Sequence, residues 1–251
     1  MKVELTVPVK WSELTVKQVE YFSRMMLKEL TETEVMTLCF LKFSGLKLIK
    51  KAIHYKAGYL YIFKKKGFPR FTMDADLATT CIAKMTFLIN DISLFALPVS
   101  IKKYEAYDYR MFDVNLEQYL LLDSYYQAFL AGKETHYLNK MLAVMYHLPG
   151  EKWDNEKLPV WEKRFKRQPL FRKYIIFLWF TGFKKWIMER YWYVFNQGNE
   201  ISSQPTPDEI VLQLLSALNE GDITHNKEIL ATSVHEAFFE LNRKIEQSKN
   251  V

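Results

Sequence analysis

From Leu116 to about residue 197 the apolar residues recur at steps of three and four, and this pattern constrains the fold more than any other feature of the chain. Tyr119, Leu122, Tyr126 and Phe129 form one stripe, Gly132 interrupts it, and Leu138, Met141, Leu142 and Met145 form the next. Side chains spaced this way share one helix face, so each stripe must be buried against another element, and the short connection predicts an antiparallel pair. "HLPGEKWDNEKLP" interrupts the helices, and a long helix is expected over about 169–197, beginning at Pro169 and ending before Gly198. Its apolar run from Tyr174 to Phe183 has ten residues, against about 20 for a bilayer span, so it reads as a buried helix and no membrane span is expected.

The first hundred residues read differently. "VELTVPV" alternates apolar and polar side chains and predicts a short strand ending at Pro8. Thr15 or Ser12 then caps a helix of about 15 residues in which Val19, Phe22, Met26 and Leu30 share a face, with Trp11 as an N-terminal packing anchor. Thr31 and Glu34 have capping-box spacing, and "VMTLCFLKF" is apolar nearly all round until Gly45, which predicts a deeply buried second helix. "YLYIFKKKGFPRFTM" holds two aromatic-rich β-type runs separated by lysines and Gly67, the signal of a hairpin with Pro69 at an edge or strand start. Leu77, Cys81, Met85 and Leu88 predict one amphipathic helix after Asp74 or Asp76.

The stretch from 94 to 115 lacks a helical period and carries Pro98, so the main boundary is expected there. "NQGNEISSQPTP" is linker-like, rich in Gln, Asn, Ser and Pro. Beyond it, Val211, Leu214, Leu215 and Leu218 can face Val234, Ala237, Phe238, Leu241 and Ile245 in a helical hairpin, a core small enough to serve as a semi-independent docking element. The expected fold is mainly α: a helical bundle with a small N-terminal α+β part containing a β-hairpin. Its parts are an α+β unit at 1–100, a helical body at 101–197, a linker at 198–207 and a helical hairpin at 208–251. With 251 residues and only 8 glycines, packed helices are favoured over turn-rich β architecture, and no disulfide or metal staple is required.

Residues able to do chemistry are scattered. His136 and His147 stand eleven positions apart, about 16 Å along a helix, and the His-Glu pair at 235–236 lacks the second histidine of HExxH, so no zinc site is expected. Cys39 and Cys81 lie in apolar runs without CxxC spacing and read as reduced, buried thiols. GxGxxG, GxxxxGK[ST] and GxSxG are absent, so no common phosphate cradle or nucleophile elbow is signalled and no cofactor is expected. Asp108 and Asp113 among Tyr104, Tyr107, Tyr109 and Phe112 have the residue types of a carboxylate pair in an aromatic cleft, but a polar loop pinned by aromatics has the same pattern and is the commoner case. The N-terminus "MKVELTVPVK" has neither a continuous apolar run nor a small-residue cleavage site, so secretion by a signal peptide is not expected.

The formal charge of +6 suits a polyanion or an acidic protein partner. "KKKGFPRF" can bring Lys64, Lys65, Lys66 and Arg70 to phosphates with Phe68 stacking a base, the combination used by single-strand binders; a lysine-rich tip that discourages edge pairing has the same composition.

Taken in order, the "WSELTVKQ" helix, the hairpin "YLYIFKKKG", the pair "LEQYLLLDSYYQAFLAGKETHYLNKMLAVMY" with its Pro-Gly break, and the basic-aromatic "FRKYIIFLWFTGFKKWI" resemble poorly characterised proteins encoded among virion and tail genes of phages and prophages. The resemblance extends to about residue 197 and departs at "GEKWDNEKLPVWEKRFKRQ". It implies a non-enzymatic structural or tail-assembly protein, located in the virion or in the host cytoplasm during assembly. Its implied partners are other virion or assembly proteins or further copies of the chain. A nucleic-acid-binding module built on the basic aromatic hairpin at 64–71 is the alternative.

Overall fold

The computed structural model describes residues 5–54, 58–97, 100–195, 207–219 and 221–249. The protein is mainly α-helical with a small antiparallel sheet near the N-terminus, as its residue pattern predicts. It divides into two compact units, Met1–Phe95 and Ala96–Val251, at the start of the aperiodic stretch.

In the first unit, α1 (Val16–Met26) starts at Thr15, whose hydroxyl accepts from the Gln18 N–H while the Gln18 side chain accepts from the Thr15 N–H. α2 (Glu32–Ser44) repeats this box with Thr31 and Glu34 and ends at Gly45, whose φ of 71° suits a residue without Cβ. α1 buries Val19, Phe22 and Met25; Met26 is half-buried and Leu30 lies beyond the helix. α2 buries one stripe, Val35, Cys39, Phe40 and Ser44, rather than its whole circumference. Trp11 is fully buried: it meets Phe22 edge-on at 5.5 Å, stacks on Phe95 at 5.1 Å, and its Nε1 donates to the Phe87 carbonyl at 2.9 Å. The indole thus has both the apolar bed and the acceptor that a buried tryptophan requires.

β1 (Leu46–His54), β2 (Gly58–Lys65) and β3 (Phe71–Asp74) form an antiparallel sheet in that order. β2 and β3 are the expected hairpin. β1 escapes the sequence reading because "LKLIKKAIH" does not alternate, and the register slips between Leu48 and Lys50 to absorb the extra residue. Residues 5–8 of the expected N-terminal strand are not in strand conformation, and its first residues lie outside the described ones. α3 (Ala75–Ala83) is capped by Asp74, which accepts from the Leu77 N–H at 2.8 Å. The single helix expected through Leu88 is broken by turns at Lys84–Thr86 before α4 (Phe87–Asn90). As a result Met85 and Leu88 are fully buried, Cys81 is half-buried, and Leu77 is exposed.

The second unit opens with β4 (Ser100–Ile101) and β5 (Tyr104–Ala106), then α5 (Leu116–Gly132) and α6 (Thr135–Met145). α5 and α6 are the expected helix pair, although the left-handed residue that ends α5 is Lys133, φ 55°, and Gly132 remains helical. β6 (Tyr146–His147) pairs with β5, completing a second three-stranded sheet that strands of two or three residues could not announce. α7 (Leu158–Phe165) fills part of the expected interruption, with Pro159 in its first turn and Trp161 and Phe165 buried. α8 (Leu170–Arg190) is the central helix, burying Ile175 to Phe180 without a break. It stops short of 197 because Tyr191 leaves helical geometry, its hydroxyl lying 2.8 Å from His235 Nδ1, before α9 (Trp192–Phe195).

The linker expected at 198–207 lies outside the described residues except Pro207, which opens α10 (Pro207–Asn219). α11 (Asn226–Ala231) and α12 (Val234–Lys249) follow. α12 does not simply close on α10. Val234, Ala237, Phe238 and Leu241 are buried, and the Phe238 ring meets Tyr119, Tyr191 and Phe195 at 5.0, 5.8 and 5.3 Å. Backbone bonds from Leu116 N to Thr232 O (2.9 Å) and Val234 N to Val114 O (3.1 Å) tie the starts of α5 and α12 together, giving partners to N–H groups that helix starts leave open. The expected docking hairpin is therefore partly core of the helical body. Among the described residues, no helix is long and apolar enough to cross a membrane.

Candidate functional site

The lysine-rich hairpin is built by β2, its turn and β3. Gly67 supplies the turn's φ of 83°, and the Phe68 N–H closes it on the Lys65 carbonyl at 3.1 Å. Lys64, Lys66, Phe68 and Arg70 are exposed, while Lys65 is half-buried with its ammonium 5.6 Å from the Phe68 ring centre. These five residues do not converge on one point, because side chains alternate along a strand and send Lys64 and Lys65 to opposite faces.

What Lys64 does meet comes from β1. Lys47 is its direct cross-strand partner, and Lys50 lies across from Ile62 on the same face. All three lysines are exposed; the same side of the sheet carries the half-buried Leu60, Ile62 and Ala52 and, from β3, the exposed Thr72 and Asp74, the latter's carboxylate being taken up in capping α3. The opposite side carries the buried Leu46, Phe63 and Met73, and there Lys51 rests over the Tyr59 ring at 3.8 Å. The signal for this face was present in the sequence and was missed. From Leu46 to Met73 there are eight lysines and arginines and no aspartate or glutamate, a larger positive charge than the +6 of the whole chain.

In the second unit an open groove of about 520 Å³ runs along α5 and α8, lined by Tyr126, Leu130, Thr181, Met188 and Trp192 among others. Trp192 is 58 % exposed, with Met188 and Leu130 beside it also exposed. The wall is held by the Tyr126–Thr181 hydroxyl pair at 3.2 Å and by Lys184 on Asp123 at 2.6 Å. Large apolar side chains grouped at a surface groove are the anatomy of a contact site.

The groups considered for chemistry have structural tasks. Asp113 accepts the Asp108 N–H and Asp108 accepts the Arg110 N–H, both at 2.8 Å, so the two carboxylates fold their own loop. Cys39 is fully buried, and burial pushes its thiol up to about 12, which keeps it protonated and unreactive. His235 uses both ring nitrogens, one towards Tyr191 and one towards Arg110. His136 stands beside Glu134 on the surface, and His147 Nδ1 lies 2.9 Å from the Leu148 carbonyl. Among the described residues, no three or more His, Cys, Asp or Glu side chains come together as metal ligands.

Comparison of the chain with protein-family models, with curated proteins and with solved structures found no match.

Proposed function

We propose that this chain is a phage-type structural or tail-assembly protein that acts through protein–protein contacts and performs no catalysis. The observation that carries this reading is the α5–α8 groove, where Leu130 of α5, Met188 of α8 and Trp192 at the start of α9 expose apolar surface. Packed helices hold such anchors in place before contact, so little side-chain entropy is lost on docking, and a single tryptophan anchor is commonly worth about 2 kcal/mol or more. The sequence resemblance to virion and tail-region proteins gives the setting, the virion or the host cytoplasm during assembly. The partner is another assembly protein presenting an apolar segment, or a second copy of this chain.

The test is co-expression with the products of the genes adjacent to its own, followed by size-exclusion chromatography. One of them, or the chain itself, is expected to form a complex that Trp192→Glu and Met188→Glu dissolve while the helical spectrum is unchanged. If the chain remains a monomer with all of these products, or forms a complex indifferent to both substitutions, this reading of the groove is wrong.

A further inference from the structure

We propose that the exposed face of the β1–β2–β3 sheet binds single-stranded nucleic acid, with Lys47, Lys50 and Lys64 on consecutive phosphates and Lys66, Phe68 and Arg70 gripping the strand as it passes the hairpin turn. This is a second contact, on a different unit from the apolar groove and independent of it.

Lys47 and Lys64 are direct cross-strand partners, and like charges in that position oppose strand pairing. Some surface cations elsewhere on the molecule have an acidic neighbour: Lys10 has Glu13, Lys157 has Asp154 and Arg243 has Glu240. Among the described residues, no ion pair is formed by Lys47, Lys50, Lys64, Lys66 or Arg70. A polyanion laid across the face removes this unfavourable term and releases its own counterions as it binds.

Edge protection explains one part of this arrangement. Lysines and a bulge on β1 discourage pairing with another strand, and the slip between Leu48 and Lys50 is such a bulge. It does not explain why Lys64, on the central strand β2, faces Lys47, nor why 28 consecutive residues contain no acid. A flexible phosphate chain, rather than an acidic peptide, is favoured by the turn. There the exposed Phe68 has Lys66 and Arg70 two positions to either side in the chain and the Lys65 ammonium 5.6 Å from its ring centre, so a base stacked on it would bring its phosphates to cations.

The experiment uses the full chain and a fluorescently labelled mixed-sequence oligonucleotide of about 20 nucleotides, enough to span one binding face. Anisotropy is read across a salt series, with helical CD as the folding control. The expected result is binding whose logarithmic affinity falls linearly with logarithmic salt, with a slope near −2 to −3.5 for about three to five phosphate contacts. Lys47→Glu combined with Lys64→Glu should weaken binding at least about tenfold at low salt, whereas Lys17→Glu, at an exposed position of α1, should leave it unchanged. Phe68→Ala should weaken the single strand while hardly changing the slope, and the matching duplex should bind less tightly.

Four results overturn the proposal: no binding at low salt, equal sensitivity to Lys17→Glu, equal or tighter binding of the duplex, or indifference to Phe68→Ala together with equally effective competition by polyglutamate. The last outcome makes the face a site for an acidic protein. Binding to anionic vesicles but not to the oligonucleotide makes it a membrane contact and overturns the proposal as well.

Discussion

The imidazole of His235, on α12, donates from Nε2 to the backbone carbonyl of Arg110 at 2.7 Å, across 125 positions of the chain. A carbonyl can only accept, so Nε2 carries the proton, and in the neutral ring Nδ1 accepts from the Tyr191 hydroxyl at 2.8 Å. The ring also stacks on Phe112 at 4.4 Å and meets Trp186 edge-on at 5.8 Å. One side chain therefore ties α12 to the loop before α5 and to the end of α8.

Protonating this ring should loosen the second unit. Burial lowers the His235 pKa below the usual 6.5, and nearby Arg190 pushes the same way, against the Arg110 carbonyl and the Asp108 charge. In the unfolded chain the ring takes up a proton near 6.5 that the folded ring refuses, so its contribution is fully present above that pH and is lost as pH falls towards the depressed value. Urea midpoints measured between about pH 5 and 7.5 should decline on the acid side, and the decline should shrink in His235→Phe. That variant should also cost about 1–3 kcal/mol by leaving the Arg110 carbonyl and the Tyr191 hydroxyl without their partner. An identical pH dependence in both proteins would refute the assignment.

Glu151 and Arg164 give a carboxylate case at lower pH. Two bonds of 2.6 Å join them, and the Leu148 N–H adds a third to the same carboxylate at 3.1 Å. The Arg164 guanidinium holds the Glu151 pKa down to about 2 against an ordinary 4.5. The stabilisation is present above the ordinary value and disappears as pH falls towards about 2. Arg164→Met should return the Glu151 titration towards 4.5 by NMR. It should also lower stability at neutral pH by about 1–3 kcal/mol, and an unchanged titration would contradict the pairing.

Deleting 199–251 should unfold or aggregate the second unit instead of leaving an intact body. Phe238 and His235 would vanish from Tyr119 and Tyr191, and Leu116 would lose the Thr232 carbonyl. Phe238→Ala alone should cost about 3–5 kcal/mol as a large buried ring removed. Thermal CD of the truncated protein decides the matter: a cooperative melt with unchanged midpoint would show that α12 is dispensable to the core.

The two cysteines should react at different rates. Cys39 is fully buried with its pKa raised to about 12, whereas Cys81 is half-buried. Maleimide labelling of the native protein, read by peptide mass spectrometry, should modify Cys81 first, and equal rates would contradict this order.

Helix starts were the most legible part of this protein. The Thr31–Glu34 box and the Gly45 stop form where the residues predict them, and of the two candidates at each of two other starts the caps are Thr15 rather than Ser12 and Asp74 rather than Asp76. Each is closed within a few residues by the chain's own backbone, so no distant contact can easily override it. The buried aromatic stripe on α5 was legible for a related reason, since a period of 3.6 marks a face whatever it packs against, and α8 was legible as a continuous apolar run. The identity of the packing partner is another matter. The apolar side of α12 matched α10 as well as it matched the body, and Phe238 meeting Tyr119 is a choice between apolar surfaces that local residues do not encode.

The same limit governed the candidate surfaces. "KKKGFPRF" marked a basic turn, but the face containing Lys64 exists because β1, unread for want of alternation, sets Lys47 beside it. Register is a property of two strands, so the like-charge pair was invisible until both were placed. The groove at Trp192 likewise depends on α8 ending at Tyr191, a stop imposed by no glycine or proline; the Tyr191 hydroxyl there meets His235, 44 residues away. Local hydrogen bonding and periodicity thus wrote the helices into the sequence, while pairing over long separations, where many apolar or strand partners compete with similar energies, was decided only by the tertiary structure.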